Sequence, residues 1–153
     1  MAVRVQAGDF DTGKEIAALA RGNANIGAIV TFTGTVRGAA KDGAIATMTL
    51  EHYPGMTEAE LERIEAEAKA RWPLEASLIV HRFGDLAPGD SIVLVVTASA
   101  HRQAAFEAAE FLMDYLKTRA PFWKKETPLG FGKTGQWVDA READDGALER
   151  WKR

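Results

Sequence analysis

Residues 92–96 read Ile-Val-Leu-Val-Val, with no polar residue among them. A strand with one wet face alternates apolar and polar side chains. A strand without that alternation has to be covered on both faces. Ser91–Ala98 is therefore expected to be a central strand with layers above and below it. It runs straight on to His101-Arg102. The space just past the end of a central strand, at the start of a helix, is a common place for chemistry.

The next stretch, Ser99 to Glu126, predicts one helix with cations at both ends. Ala105, Ala109, Leu112 and Leu116 recur at helical spacing and form a stripe for the core. Ser99 is the expected N-cap, and Pro121 stops the helix. A helix N-terminus offers free N–H donors and partial positive charge, so anions bind there. Acidic residues usually occupy the first turn. His101 and Arg102 there cost some helix stability and point to a phosphate ligand.

Phe106, Met113 and Lys117 share a second helix face, at spacings of seven and four. After Pro121, Phe122-Trp-Lys-Lys-Glu126 predicts a strand. Phe122, Lys124 and Glu126 then point one way, and Trp123 and Lys125 the other. Neighbouring cations and burial both lower a lysine's proton affinity, which suits it to proton transfer or nucleophilic work. A single lysine after a helix more often just complements the dipole. Lys117, Lys124 and the His-Arg pair taken together favour a site.

Along the rest of the chain, Val3–Gln6 predicts a strand and Asp11–Arg21 a helix. Asp11 is its N-cap, Ile16 and Leu19 face inwards, and Gly22 ends it. Gly27–Arg37 predicts a strand with Val30, Phe32 and Val36 on one face. Arg37 ends it, where a bidentate phosphate ligand or a plain rim charge would sit. A loop at 38–43 and a strand at Ala44–Tyr53 follow. Thr57 and Glu60 read as a capping box for a helix through Trp72, with Leu61, Ile64 and Ala68 inside and a Glu65–Lys69 pair outside. Ser77–Phe83 predicts a strand whose His81-Arg82 pair reads as structural. Gly-Lys-Thr at 132–134 lacks the earlier glycine of a phosphate-binding loop, since position 127 is Thr, and reads as a hairpin turn. Gln136–Ala140 is a last strand, followed by a polar tail with room for a short helix. This order predicts an α+β fold with a mostly antiparallel or mixed sheet.

A chain of 153 residues suits one domain. A net charge of -3 argues against a nucleic-acid binder that works by neutralising phosphates. There are no cysteines, which excludes disulfides, thiolate metal sites and a cysteine nucleophile. His52, His81 and His101 show no close-spaced metal motif, so neither a metal nor another cofactor is expected. No signal peptide and no membrane-spanning run is evident, and a cytoplasmic protein is expected.

From the residues alone, the expectation is a cationic pocket for a small phosphorylated ligand, with one or two lysines for proton transfer or covalent chemistry. The sequence further resembles the MoaE family, the large, catalytic subunit of molybdopterin synthase. The likeness is carried by Val-Thr-Phe-Thr-Gly-Thr-Val-Arg (30–37), Leu-Glu-His-Tyr-Pro-Gly-Met-Thr-Glu (50–58), His-Arg-Phe-Gly-Asp-Leu-Ala-Pro-Gly-Asp (81–90), Ser-Ala-His-Arg (99–102) and, above all, Met-Asp-Tyr-Leu-Lys-Thr-Arg-Ala-Pro-Phe-Trp-Lys-Lys-Glu (113–126).

The resemblance implies an α/β hammerhead fold with a small additional β subdomain. It implies a central homodimer carrying a small subunit at each end, a heterotetramer. The implied reaction converts cyclic pyranopterin monophosphate (precursor Z) to molybdopterin. Two sulfurs come from the thiocarboxylate on the C-terminal glycine of a small ubiquitin-like partner. Lys117 matches the family's principal catalytic lysine and Lys124 its second. Arg37, His101 and Arg102 match pterin- and phosphate-binding positions, and Phe32, Met113 and Glu126 match pocket-lining ones. A helix over 101–117 is about 25 Å long at ~1.5 Å per residue. Its ends cannot serve one small pocket within one chain, so His101 and Arg102 are expected to reach the Lys117 site across the dimer. Two other readings are a non-catalytic module binding a phosphorylated metabolite or peptide tail, and a lysine acyl-transfer enzyme acting on a ubiquitin-like tail.

Overall fold

The computed structural model describes residues 2–40, 43–130, 134–138 and 142–152. In chain order it holds β1 (Ala2–Gln6), α1 (Thr12–Ala20), β2 (Ala28–Thr35), β3 (Ala39–Ala40), β4 (Gly43–His52), α2 (Met56–Arg71), β5 (Leu74–Arg82), β6 (Gly84–Leu86), β7 (Ser91–Ser99), α3 (Arg102–Arg119), β8 (Phe122–Pro128), β9 (Gln136–Val138) and α4 (Glu142–Glu149). The α+β expectation holds. The turn expected at 132–134 and the end of the strand expected at 136–140 lie partly outside the described residues.

The strands form two sheets. The first has the order β1-β5-β7-β2. β1 runs parallel to β5, and the other pairs are antiparallel, so this sheet is mixed. β7 is central as expected, and Leu94, Val95 and Val96 are wholly buried. Period-two alternation splits the side chains between the faces. Ile79, Val93 and Val95 pack with Leu61 and Ile64 of α2 and with Phe111 and Leu112 of α3. Leu78, Val80, Leu94 and Val96 turn the other way, towards Phe10 and Leu19.

The second sheet is antiparallel, with the order β3-β4-β8-β9 and β6 also on β4. It has its own small core of Val36, Met48, Leu50 and Leu86. The sheets are stitched at Val36, whose N–H donates to Asp90 O at 2.9 Å and whose carbonyl accepts from Gly89 N at 2.8 Å. Ile92 packs against both cores. The C-terminal segment also contributes to the main core: Leu148 is buried within it, and Trp151 packs edge-on to Phe111 at 5.5 Å.

Three local expectations are corrected. Ser99 is not the cap of α3. It still pairs with Ala28 and Leu74 as the last residue of β7, and its hydroxyl donates to Pro73 O at 2.8 Å. His101 is the N-cap instead, without a side-chain cap bond. Thr57 is not the cap of α2. Gly55 takes that place at φ +85°, a left-handed conformation that suits glycine, and its N–H donates to Glu58 Oε2 at 2.8 Å. Glu65 is not on the outer face. It lies four residues after Leu61 and three before Ala68, which places it in the same buried stripe. Its carboxylate accepts from Ser77 Oγ at 2.6 Å, and burial raises its pKa.

Candidate active site

A cavity of about 350 Å³ opens where the two cores meet. Val93 and Leu116 line it from the main core, Met48 and Leu50 from the small one, and Ile92 from the seam. Neither core fills this space, because the two sheets are stitched at Val36 rather than stacked face to face. Arg37, Lys117, Lys124, Glu126 and His81 supply the cavity's charged and polar walls.

Each cation arrives by a local rule. Arg37 follows Val36, whose two backbone bonds fix the chain as it passes between the sheets. Lys117 stands one residue beyond buried Leu116 in the last turn of α3, so it faces outward at the cavity edge. Pro121 ends the helix as expected: Ala120 is extended at ψ 131°. β8 then brings Phe122, Lys124 and Glu126 to the cavity on one face, as the alternation requires. Trp123 is exposed, and the Lys125 ammonium lies 5.4 Å from the Trp137 ring.

Lys124 Nζ lies 3.6 Å from Glu126 Oε1, with both side chains partly exposed. Such a pair contributes at most about 1 kcal/mol to stability. Its consequence is for charge placement: a carboxylate stands beside Lys124 at the cavity wall. Among the described residues no group of three or more His, Asp or Glu is placed to hold a metal ion.

Four residues matched to the pocket by resemblance stand outside this cavity within one chain. His101 and Arg102 are exposed at the far end of α3, ~22 Å from Lys117 along the helix axis. Phe32 is 40% exposed on β2, an edge strand. Val36, four residues on, is buried at 2% exposure; the register slip between the two strands leaves Ile92 of β7 as the extra residue. Met113 packs partly buried against the main core, one turn before Lys117.

His81, read from sequence as structural, is in the cavity wall. It is 5% exposed, and its ring stacks on Phe122 with centroids 3.6 Å apart. Its Nδ1 lies 2.8 Å from the Arg82 carbonyl. Burial, with the Lys117 and His52 charges adding to it, pushes its pKa down to about 4. The available signal was parity. His81 continues the Ser77, Ile79 face of β5, the face that meets α2 and α3, with a polar residue where an apolar one is the norm.

A half-apolar cavity with three cations among its described lining residues defines a protein that handles a small anionic molecule and has lysines at hand for chemistry. Known proteins resemble this chain in sequence and in fold. The family described as MoaE protein matches residues 5–119. A molybdopterin synthase catalytic subunit from Mesorhizobium japonicum is 59% identical over 150 residues, covering 98% of this chain and 92% of that protein. A solved Burkholderia ambifaria structure, a molybdopterin biosynthesis MoaE protein, superposes with a TM-score of 0.83 at 55% identity, covering 100% of this chain and 99% of the other. A Helicobacter pylori structure, a complex of subunits 1 and 2 of molybdopterin-converting factor, superposes with a TM-score of 0.70 at 25% identity, covering 92% of this chain and 90% of the other. The chain belongs to the MoaE protein family.

Proposed function

We propose that this chain is the catalytic subunit of a molybdopterin synthase, a sulfurtransferase of molybdenum cofactor biosynthesis that works in the cytoplasm. It converts precursor Z to molybdopterin with sulfur delivered as a thiocarboxylate on the C-terminal tail of a small ubiquitin-like partner. One observation carries the reading. Lys117 and Lys124, on either side of Pro121, open into one cavity with Arg37 and Glu126. The two-subunit complex of the Helicobacter pylori relative supports a protein partner.

Placement at the cavity supports the following roles. Lys117, at the cavity edge, transfers a proton or activates the carbon that takes sulfur. Lys124 stabilises developing negative charge and the incoming thiocarboxylate, in a partly apolar space where such charges act strongly, and Arg37 binds the phosphate or pterin. Glu126 holds Lys124 until the anion arrives. The start of α3 in a second copy completes the pocket, with His101 and Arg102 on the phosphate or pterin and Phe32 and Met113 near the same seam. The ~22 Å between Arg102 and Lys117 along α3 requires that sharing if His101 and Arg102 belong to the Lys117 site.

The test is mass spectrometry of precursor Z incubated with this protein and a thiocarboxylated small subunit. Formation of the dithiolene product establishes the reaction. A folded protein that binds the small subunit and gives no product favours a non-catalytic binding module.

A further inference from the structure

The wall of the cavity contains a buried polar group, His81, to which the lysine chemistry above gives no role. His81 sits where β5 is paired on both sides, to Val5 of β1 and Val93 of β7, so its backbone cannot shift without breaking two ladders. Its ring is clamped flat against Phe122, at 17° between planes. Phe122 follows directly on the Ala120-Pro121 break that separates the two lysines. The strand end is pinned as well: the Arg82 guanidinium donates to Ala7 O at 3.0 Å and to Ser91 O at 3.1 Å. A side chain held this firmly has one orientation.

That orientation decides the tautomer. A carbonyl oxygen only accepts, so the nitrogen 2.8 Å from Arg82 O carries the hydrogen. In a neutral imidazole the other nitrogen, Nε2, is then a bare lone pair. Lys117 from α3 and His52 from β4 both oppose a proton on the ring. Lys124 of β8 shares the cavity wall. A carboxylate in this place would pair with Lys117 and hold its proton. A protonated histidine would repel it. A neutral acceptor does neither.

We infer that His81 is a positioning residue for Lys117: its Nε2 accepts a hydrogen bond from the Lys117 amine and aims that group into the cavity. The inference rests on the catalytic reading of Lys117. Holding a flexible four-carbon side chain in one reactive direction is worth a substantial factor in rate, since a misplacement of about 1 Å can cost ~100-fold.

Two experiments test it. In the first, the wild-type protein is labelled with ¹⁵N-histidine, and the ring nitrogens are read by NMR between about pH 5 and pH 8. The Nδ1–H tautomer is expected throughout, with the Nε2 resonance moving in Lys117→Ala. An Nε2–H tautomer, or an Nε2 signal indifferent to Lys117→Ala, overturns the inference.

In the second, His81→Phe, His81→Gln and Lys117→Ala are compared in the reconstituted complex. Phenylalanine keeps the stack and loses the acceptor. Glutamine places an amide near the Nε2 position. His81→Phe is expected to lower kcat by roughly 30- to 100-fold, with KM changed less than about threefold. His81→Gln is expected to recover most of that loss. A His81→Phe enzyme near wild-type rate beside an inert Lys117→Ala sinks the role of His81 alone. An active Lys117→Ala sinks the reading of Lys117 and this inference together. If His81→Phe does not fold, His81→Gln and the NMR measurement decide, and a folded His81→Gln that is as slow as Lys117→Ala counts against the inference.

Discussion

The hydroxyl of Thr57 donates to the carbonyl of Pro121 at 3.1 Å, which ties the first turn of α2 to the break between Lys117 and Lys124. The same oxygen accepts from Tyr53 N at 2.9 Å, and Thr57 is wholly buried. One side chain thus satisfies two backbone groups and fixes the bend that points both lysines at one cavity.

Thr57→Val keeps the shape and removes both bonds. The Tyr53 N–H and Pro121 carbonyl then lose their partner, at a cost of about 1–3 kcal/mol. The midpoint of urea unfolding should fall with an unchanged slope, and turnover should fall with it. Thr57→Ser should restore both. A Thr57→Val protein as stable as wild type would show that the bond is incidental.

The roles of the two lysines separate by chemistry. Lys117→Ala and Lys124→Ala should each lower kcat by on the order of 10² to 10⁴ while small-subunit binding, followed by calorimetry, persists. Lys117→Arg should remain nearly as slow as Lys117→Ala, because a guanidinium keeps the charge and cannot give up its proton. Recovery of the rate by arginine would reduce Lys117 to an electrostatic role.

His81 predicts a pH signature in stability. Its pKa is about 4 in the folded protein, against an ordinary value of 6.5. As pH falls below 6.5 the unfolded chain takes up a proton that the folded protein refuses until about pH 4. Its contribution is therefore complete above pH 6.5 and lost progressively down to about pH 4, on the order of 3 kcal/mol in all. Glu65, whose folded pKa is raised, acts in the opposite sense. The comparison that isolates His81 is wild type against His81→Phe by urea unfolding across this range. The gap between them should move in favour of the variant as the solution is acidified. A constant gap rules out a buried neutral histidine.

Gly27 meets the chain that leads into α3. A Cβ there would lie 2.2 Å from the Ala100 carbonyl oxygen, a backbone atom with no flexible end to yield. Gly27→Ala should destabilise by about 1–3 kcal/mol. Gly8→Ala, with nothing within 4 Å, is the control and should stay within about 0.5 kcal/mol. Equal melting temperatures for the two variants would mean that the close approach is relaxed at no cost.

Most elements were legible from sequence, because their causes are local; the short β3, inside the stretch read as a loop at 38–43, and β6 were not, because each exists only by pairing with β4. Unbroken apolar character marked β7 as central. Four residues at helical spacing and Pro121 bounded α3. Alternation put Phe122, Lys124 and Glu126 on one side of β8. Where local reading failed, a residue had a stronger distant partner. Ser99 stayed in the ladder between Ala28 and Leu74, and Thr57 turned to Tyr53 and Pro121. Glu65 met Ser77 of β5.

The site is the part that only the tertiary structure decided. Arg37, His81, Lys117 and Lys124 come from the linker between the sheets, β5, α3 and β8, and no spacing in the chain relates them. Their meeting follows from two small cores that join at Val36 and Ile92 without closing the space between them. A void of that kind depends on how the two sheets are stitched, so it is a property of the assembled packing, not of any segment. The sequence by itself therefore determined most of the strands and helices and the facing of side chains such as those of β8, whereas Glu65 took its place from a distant partner. Packing decided which of those side chains share a cavity.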